Sequence, residues 1–566
     1  MAELRWKFLS DFVPEHPEGV ENVLQSLLTQ RTSRNDERRF LMPDYDRDMY
    51  DPFLFRDMEK VVARLGEARK KGERVGVFGD FDADGVTSSV LFREALEALG
   101  VAAEVYIPHK IHEGHGLSIQ AIQHFKRAGV TLVVTLDCGM MNHEEIEQAL
   151  EAGMDTIIID HHHVPEILPK ALAIINPKLP NEQYPFHDLC GAGTTFKVVT
   201  ALYHRYLPDR IGELKWLLDV AAIGTVADVM PLVGENRVLV KYGLLVLAKT
   251  RRVGLQELIA VGRIPMDNVT PPTARLIAFH IAPRINAASR MAHGKLAHDL
   301  LMERDRVKAR GLALELEAYN VARQKQSQEI TELVLTLAKE KYHDQKFIFA
   351  AGEEYPLGIV GLVAGRVAHE TGKPTCILQT AGEVSTGSFR SIPGLSIIKV
   401  LEQCGDMLEK FGGHDQAAGM TIRNDNLVSF YNRFNALVEE ALQGVETKPE
   451  LLIDRVLHPD DVSLDLIQRL TSLEPFGEGN PEPVFALRGV RLGAVRKVGK
   501  DEKHWKLSVD RARLYPPLDV VGWSLALTYP DLRPGMEVDL AGTIAVNSWN
   551  GRESVQMVLR DIQALN

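Results

Sequence analysis

The chain has 566 residues, 45% of them hydrophobic and 25% charged, with a formal net charge of −12. That length exceeds what one hydrophobic core organises and implies about three or four domains, while the acidic balance excludes indiscriminate binding to polyanions, so any nucleic-acid contact has to be local. The opening residues lack the apolar core of a signal peptide, no run has the length of a transmembrane helix, and Cys138, Cys190, Cys376 and Cys404 show no zinc spacing; a cytoplasmic protein with reduced, buried thiols and no membrane partner is expected.

In chain order, residues 1–70 read as a polar helical wrap, with amphipathic helices at 21–28 and 57–71 around a turn-rich segment at 35–52. From Val75 the pattern changes. Strands at 75–78, 103–107, 132–136 and 156–159 alternate with helices near 87–99, 118–127 and 143–152, which is the rhythm of a parallel sheet in βαβ units. Polar residues gather where these strands end: Asp80, Asp82 and Asp84 after the first, Asp137-Cys138-Gly139 after the third, and Asp160-His161-His162-His163 after the fourth. Ligands of open parallel sheets bind beyond the carboxyl ends of the strands, so the three groups should converge on one crevice. Three carboxylates in five residues repel one another, and a folded chain keeps them when hard divalent cations neutralise them. Further on, the apolar stretch 221–227 ends in Asp228; an acid in such surroundings needs a partner, and a metal is one.

Residues 297–341 are charged and helical, a connector with Leu312, Leu314, Ala318, Ile330, Leu333 and Leu337 on its apolar face. Residues 342–445 form a second α/β region with three glycine-rich pieces, Gly358-Ile-Val-Gly361, Gly387-Ser388-Phe-Arg390 and Gly412-Gly413-His414. Glycines let backbone N–H groups approach a phosphate, and Ser388 and Arg390 can complete the contact. Residues 446–566 carry short strands separated by turns, an all-β barrel pattern of the OB-fold kind. Trp505, Trp523 and Trp549 fall there among basic residues, a composition suited to stacking bases while neutralising phosphates. Trp523, in an apolar strand, is expected in the core, and Trp505, between His504 and Lys506, at the contact surface.

The motifs Gly79-Asp-Phe-Asp-Ala-Asp-Gly85, Asp137-Cys-Gly139, Asp160-His-His162 and Gly224-Thr-Val-Ala-Asp228 match, in order, those of the DHH phosphoesterase superfamily. The stretches 189–197, 282–290, 411–419 and 474–483 extend the likeness over nearly the whole chain, to the superfamily's bacterial 5′-to-3′ exonucleases specific for single-stranded DNA. The resemblance implies a parallel-sheet α/β DHH domain (71–296), joined by the connector helix (297–341) to an α/β DHHA1 substrate-binding domain (342–445) and followed by an OB-fold (446–566). It implies Asp80, Asp82, Asp84, Asp137, His161 and Asp228 as ligands of two Mn²⁺ or Mg²⁺ ions, with His162 on the scissile phosphate. A pocket for the 5′-terminal phosphate would draw on Lys110, Arg284, Asn286, Arg290, Ser388 and Arg390, with Gly412, Gly413, His414 and Trp505 also touching substrate. His115 and Pro356 stand where the family commonly has Tyr and His. The activity implied is release of 5′-mononucleotides in DNA repair and recombination, on strands exposed by a helicase and covered by single-strand-binding protein. A phosphodiesterase on short RNA or cyclic dinucleotides uses the same motifs but has no need of the OB-like tail, and a non-catalytic replication scaffold would have lost ligands that are all present here.

Overall fold

A computed structural model describes residues 4–10, 12–266, 271–445, 447–511, 513, 516–549 and 552–565. The chain divides into two compact units: Met42–Ser327 with Pro475–Pro481, and Met1–Leu41 with Gln328–Glu474 and Glu482–Asn566.

The first unit is built on five parallel strands in the order Ala102–Tyr106, Arg74–Gly79, Val130–Leu136, Asp155–Ile159 and Ala173–Ile175. Side chains alternate across it. Leu132, Val134 and Leu136 share a core with residues of the helices Met58–Lys71, Ala83–Leu99 and Gly191–Tyr206, while Val133, Ile158 and Phe78 share one with Ile119–Arg127 and His143–Glu151. Both faces are covered, which is why the strands read as unbroken apolar runs, and each such side chain contributes roughly 1.5–3 kcal/mol by leaving water. At Arg74–Gly79 the strand order reverses: the chain first goes to Ala102–Tyr106 on one side, then to Val130–Leu136 on the other. The crevice where ligands bind opens at that reversal. The fifth strand, Ala173–Ile175, has three residues, too few to show a period in sequence.

In the second unit, a mixed five-stranded sheet runs Leu408–Gly413, Ala417–Arg423, Val384–Arg390, Thr375–Ala381 and Ile348–Gly352, with the helices Val360–Thr371 and Leu427–Ala441. A closed barrel follows in the order Phe485–Val498, His504–Val509, Leu518–Gly522, Arg552–Ala564 and Glu537–Trp549, which pairs back onto Phe485–Val498. This closure is the OB arrangement and leaves no free sheet edge in the ring.

Two expectations need correction. Residues 5–8 are a strand, not part of a helical wrap: Arg5–Phe8 pairs in parallel with Glu450–Ile453, a partner so distant in sequence that no local pattern announces it. The helix Arg306–Lys341 buries Ala309, Ala313, Leu316, Ile330, Val334 and Ala338, whereas Leu314 and Leu333 are exposed. The four cysteines are free and buried. No helix among the described residues is long and apolar enough to cross a membrane.

Candidate metal centre and anion pocket

Each acidic motif begins where a strand's ladder ends. The Asp80 N–H donates to the Leu136 carbonyl, that of Asp137 to Ile159 and that of Asp160 to Ile175, so each strand fixes the residue following its neighbour. Asp82 caps the helix Ala83–Leu99, its Oδ1 accepting from the N–H groups of Asp84 and Gly85 at 3.0 and 3.1 Å. Asp84 reaches the start of another helix, accepting from Gly191 N at 2.6 Å and Ala192 N at 2.8 Å. Both carboxylates thus lie at positive helix ends.

His161 enters the same space. Its Nε2 lies 3.1 Å from Asp137 Oδ1, 3.5 Å from Asp228 Oδ2 and 3.8 Å from Asp84 Oδ2. Three groups, Asp80–Asp82–Asp137, Asp84–His161–Asp228 and Asp137–His161–His162, each bring one ligand atom per residue within 4.8 Å of one another. Asp80 Oδ1, Asp137 Oδ1 and both ring nitrogens of His161 are buried without a hydrogen-bond partner. Leaving such atoms unsatisfied costs about 1–3 kcal/mol apiece, and oxygen donors with one imidazole fit hard divalent cations.

The electrostatics point the same way. Burial, reinforced by Asp80 and Asp84, raises Asp82 to about 6. Burial, with Asp84 and Asp82, raises Asp228 to about 8, and Asp137 is pushed up by burial and by four neighbouring carboxylates. Burial lowers His161 to about 4, leaving it neutral and able to ligate. Without metal the crevice therefore relieves its repulsion by holding protons on its carboxyl groups, which divalent cations would displace on binding.

Space is made for it by glycines. A Cβ on Gly191 would stand 2.6 Å from Asp137 Cβ, and one on Gly224 would stand 2.7 Å from Asp84 Oδ1. Asp137 (φ 61°) and Val229 (φ 56°), which follows Asp228, occupy the left-handed region, at roughly 1–2 kcal/mol each. Such strain persists where surrounding contacts impose it.

Asp160 was legible as the head of its motif but carried no predicted role. Its Oδ1 accepts from the backbone N–H groups of His161 and His162 and contacts His162 Nδ1 at 2.8 Å, while Oδ2 accepts from Met140 N. Burial opposes charge on both, but their pairing outweighs it: Asp160 is held at about 2 and His162 raised to about 9. His162 is consequently a cation fixed through Nδ1 at the rim of the metal centre. His115 Nδ1 lies 2.9 Å from Asp80 Oδ2, and its ring meets that of His162 edge-on.

The residues expected around a terminal phosphate separate into groups. Lys110 Nζ lies 5.1 Å above the Phe81 ring, within the Asp80–Asp82 turn. Arg284 is 8% exposed and committed elsewhere, donating to Glu317, the His280 carbonyl and the Gly262 carbonyl; it is a structural tie rather than an anion ligand. Asn286 Oδ1 accepts from Ala83 N at 2.9 Å and so props the acidic turn. Arg290 lies one turn further along the same helix, Ala282–Met291.

In the second unit, Arg390 donates from Nη1 to Ser388 Oγ at 2.7 Å and to the Phe389 carbonyl. Burial lowers its pKa, with no carboxylate among the causes. Gly361, in the first turn of the helix Val360–Thr371, faces both: a Cβ there would stand 3.0 Å from Arg390 Nη2 and 3.3 Å from Ser388 Oγ. Gly412, Gly419 and Ser388 are cross-strand neighbours, so a row free of large side chains leads to the guanidinium, and His414 sits exposed at the adjoining turn. A desolvated cation beside a helix start and a glycine row is a combination suited to an anion.

The expected roles of two tryptophans are exchanged. Trp505 is 3% exposed and donates from Nε1 to the Tyr529 carbonyl, whereas Trp523 is 59% exposed, with the His504 ring edge-on at 5.1 Å. The strand His504–Val509 alternates outward and inward from His504, which turns Trp505 into the barrel. Trp523 lies beyond the strand end at Gly522. Trp549's side chain lies outside the described residues.

Three family models match: the DHH family N-terminal domain over residues 74–225, the DHHA1 domain over 344–444 and the RecJ OB domain over 453–561. The single-stranded-DNA-specific exonuclease RecJ of Bacillus subtilis is 34% identical over 96% of this chain and 68% of its own length. That of Escherichia coli is 34% identical over 89% and 90%. The crystal structure of Thermus thermophilus RecJ with Mn²⁺ superposes with a TM-score of 0.83 and 28% identity, covering all of this chain and 80% of that one. In sequence, domain composition and fold alike, the chain belongs to the RecJ family.

Proposed function

We propose that the chain is a metal-dependent exonuclease that degrades single-stranded DNA from its 5′ end, releasing 5′-mononucleotides in the cytoplasm during DNA repair and recombination. The observation that carries this reading is the crevice where Asp80, Asp82, Asp84, Asp137 and Asp228 surround a neutral His161 with buried ligand atoms unsatisfied. Relatives from Bacillus subtilis and Escherichia coli are named single-stranded-DNA-specific exonucleases, and Thermus thermophilus RecJ has been solved with Mn²⁺ and with Mg²⁺.

The five carboxylates and His161 would hold two such ions, which when bound supply Lewis-acid charge to the scissile phosphate and acidify the attacking water. His162 does its work through Nε2. Asp160 engages Nδ1 and keeps the ring cationic, which leaves the Nε2–H to donate to a non-bridging phosphate oxygen as charge builds in the transition state. Asn286 holds the acidic turn through Ala83 N. Arg390 and Ser388 bind the 5′-terminal phosphate, with Gly361 leaving it room. Trp523 offers a stacking face for a base. Strands opened by a helicase and covered by single-strand-binding protein are the setting in which such an enzyme acts.

The test is digestion of single-stranded DNA labelled at either end, with Mn²⁺ or Mg²⁺, by the native chain and by Asp137→Ala. Prompt release of a 5′-labelled mononucleotide by the native chain alone is expected. Earlier loss of the 3′ label would refute the polarity, and undiminished release by Asp137→Ala would refute the metal centre.

A further inference from the structure

We infer that the turn Pro475–Pro481 is a positioning element for the metal centre, holding from outside the loop that presents Asp228. The inference rests on Asp228 being a metal ligand and asks what fixes it there.

Asp228 ends the helix Leu218–Ala227. Beyond it, Val229 turns left-handed at φ 56°, and Met230 N donates back to the Thr225 carbonyl. Glycine is the usual residue where a helix reverses in this way; a β-branched side chain there strains the loop, which relaxes unless its far end is fixed. That far end is gripped from two sides. Asn236 Nδ2 donates to the Pro231 carbonyl at 3.1 Å, and Leu232 N donates to the Glu478 carbonyl at 2.7 Å.

The second grip comes from remote chain. Residues on both sides of Pro475–Pro481 belong to the other unit, yet these seven pack as part of the unit that carries the metal centre. The turn is preformed: Gly477 N and Asn480 O bond at 2.9 Å, the reciprocal bond is 3.2 Å, and the fully buried Asn480 donates from Nδ2 to the Pro475 carbonyl at 2.8 Å. Its glycines set the approach. A Cβ on Gly477 would stand 2.6 Å from Leu232 Cδ1, and one on Gly479, itself at φ +69°, would stand 3.0 Å from Pro231 Cβ. Only a bare backbone lets the Glu478 carbonyl reach Leu232 N. The segment 474–483, prominent in the sequence and without a role in the chemistry, thereby acquires one: Asp228 is placed partly by residues some 250 positions downstream.

The test compares Mn²⁺ binding by the full-length native chain, Gly477→Val, Gly479→Ala and Asp228→Asn, read by the electron-paramagnetic-resonance signal of free Mn²⁺ well below the unfolding temperature. Gly477→Val and Gly479→Ala should each weaken binding about tenfold or more, the range seen when residues supporting a ligand are changed. Adding Leu232→Ala to Gly477→Val removes the colliding methyl and should restore part of the lost affinity. Native affinity in both glycine variants, with Asp228→Asn weakened, would overturn the positioning role. Native affinity in Asp228→Asn would instead overturn the ligand assignment on which it rests. If Gly477→Val does not fold, Gly479→Ala alone decides.

Discussion

In the parallel-sheet unit, functional groups sit where the backbone leaves a strand; in the barrel they sit on side chains that a two-residue period turns inward or outward. The first arrangement ties chemistry to topology. Asp80, Asp137 and Asp160 are each fixed by a backbone bond to the neighbouring strand, so no register choice can move them to the other face. The second is a matter of register: one residue of slip exchanges wall and surface, as at the neighbours His504 and Trp505. Charge sets the parallel-sheet unit apart from the mixed sheet of the second unit as well. The crevice buries carboxylates against carboxylates, whereas the pocket around Arg390 buries a single guanidinium next to hydroxyl, carbonyl and glycine.

The sharpest way to break this comparison is at His162. His162→Gln should lose about 10²–10³ in kcat, the order for removing one preorganised donor. The pairing that fixes His162 is read separately, from the stability of the metal-free chain against pH. His162 is raised from 6.5 to about 9, so the contribution of its charge is complete below 6.5 and is lost as pH rises through about 9. Asp160 is lowered from 3.8 to about 2, so its share is present above 3.8 and is lost as pH falls through about 2. The unfolding temperature of the metal-free native chain should therefore fall as pH rises through about 9, and that of His162→Gln should show no such step; an unchanged step would remove the His162–Asp160 pair as its cause.

A smaller effect is expected where backbone meets ligand. Gly191→Ala drives a Cβ against Asp137 and should weaken Mn²⁺ binding about 10- to 100-fold, measurable by titration calorimetry; native affinity would mean that the crevice yields at little cost. The last effect lies in the barrel. Trp523→Ala should cost about 1–3 kcal/mol of oligonucleotide binding at an unchanged unfolding temperature. Trp505→Ala should cost about 3–5 kcal/mol of stability. Fluorescence anisotropy and thermal melts on both variants separate the two, and the reverse outcome would restore Trp505 as the contact.

What was legible in the sequence follows the same line. The four expected strands of the parallel sheet and every acidic motif at their ends could be read because an apolar run broken by Asp is a local signal. The metal set converges as expected because strand ends in one sheet have only one place to meet. Arg284 was misread since its partners, Glu317 and the Gly262 carbonyl, come from segments whose proximity exists only in the fold. The strand Arg5–Phe8 was invisible for the same reason. Trp505 was assigned from its charged neighbours, but alternation along the strand, with His504 outward, is the stronger signal and points it inward. The glycines at 191 and 224 were visible as letters; their need to lie against Asp137 and Asp84 was not.

The most direct test of the central claim, that the crevice is a set of mutually repelling carboxylates completed by cations, is the unfolding temperature of the native chain and of Asp137→Asn, each without metal and with Mn²⁺. A buried acid whose pKa is raised costs stability above its unfolded pKa, a cost that Asn does not carry, and a ligand that binds only the folded state raises stability the more tightly it binds. The account predicts that metal-free Asp137→Asn melts higher than the metal-free native chain and gains much less from Mn²⁺. A variant that melts lower without metal, yet gains as much from Mn²⁺ as the native chain, would contradict it.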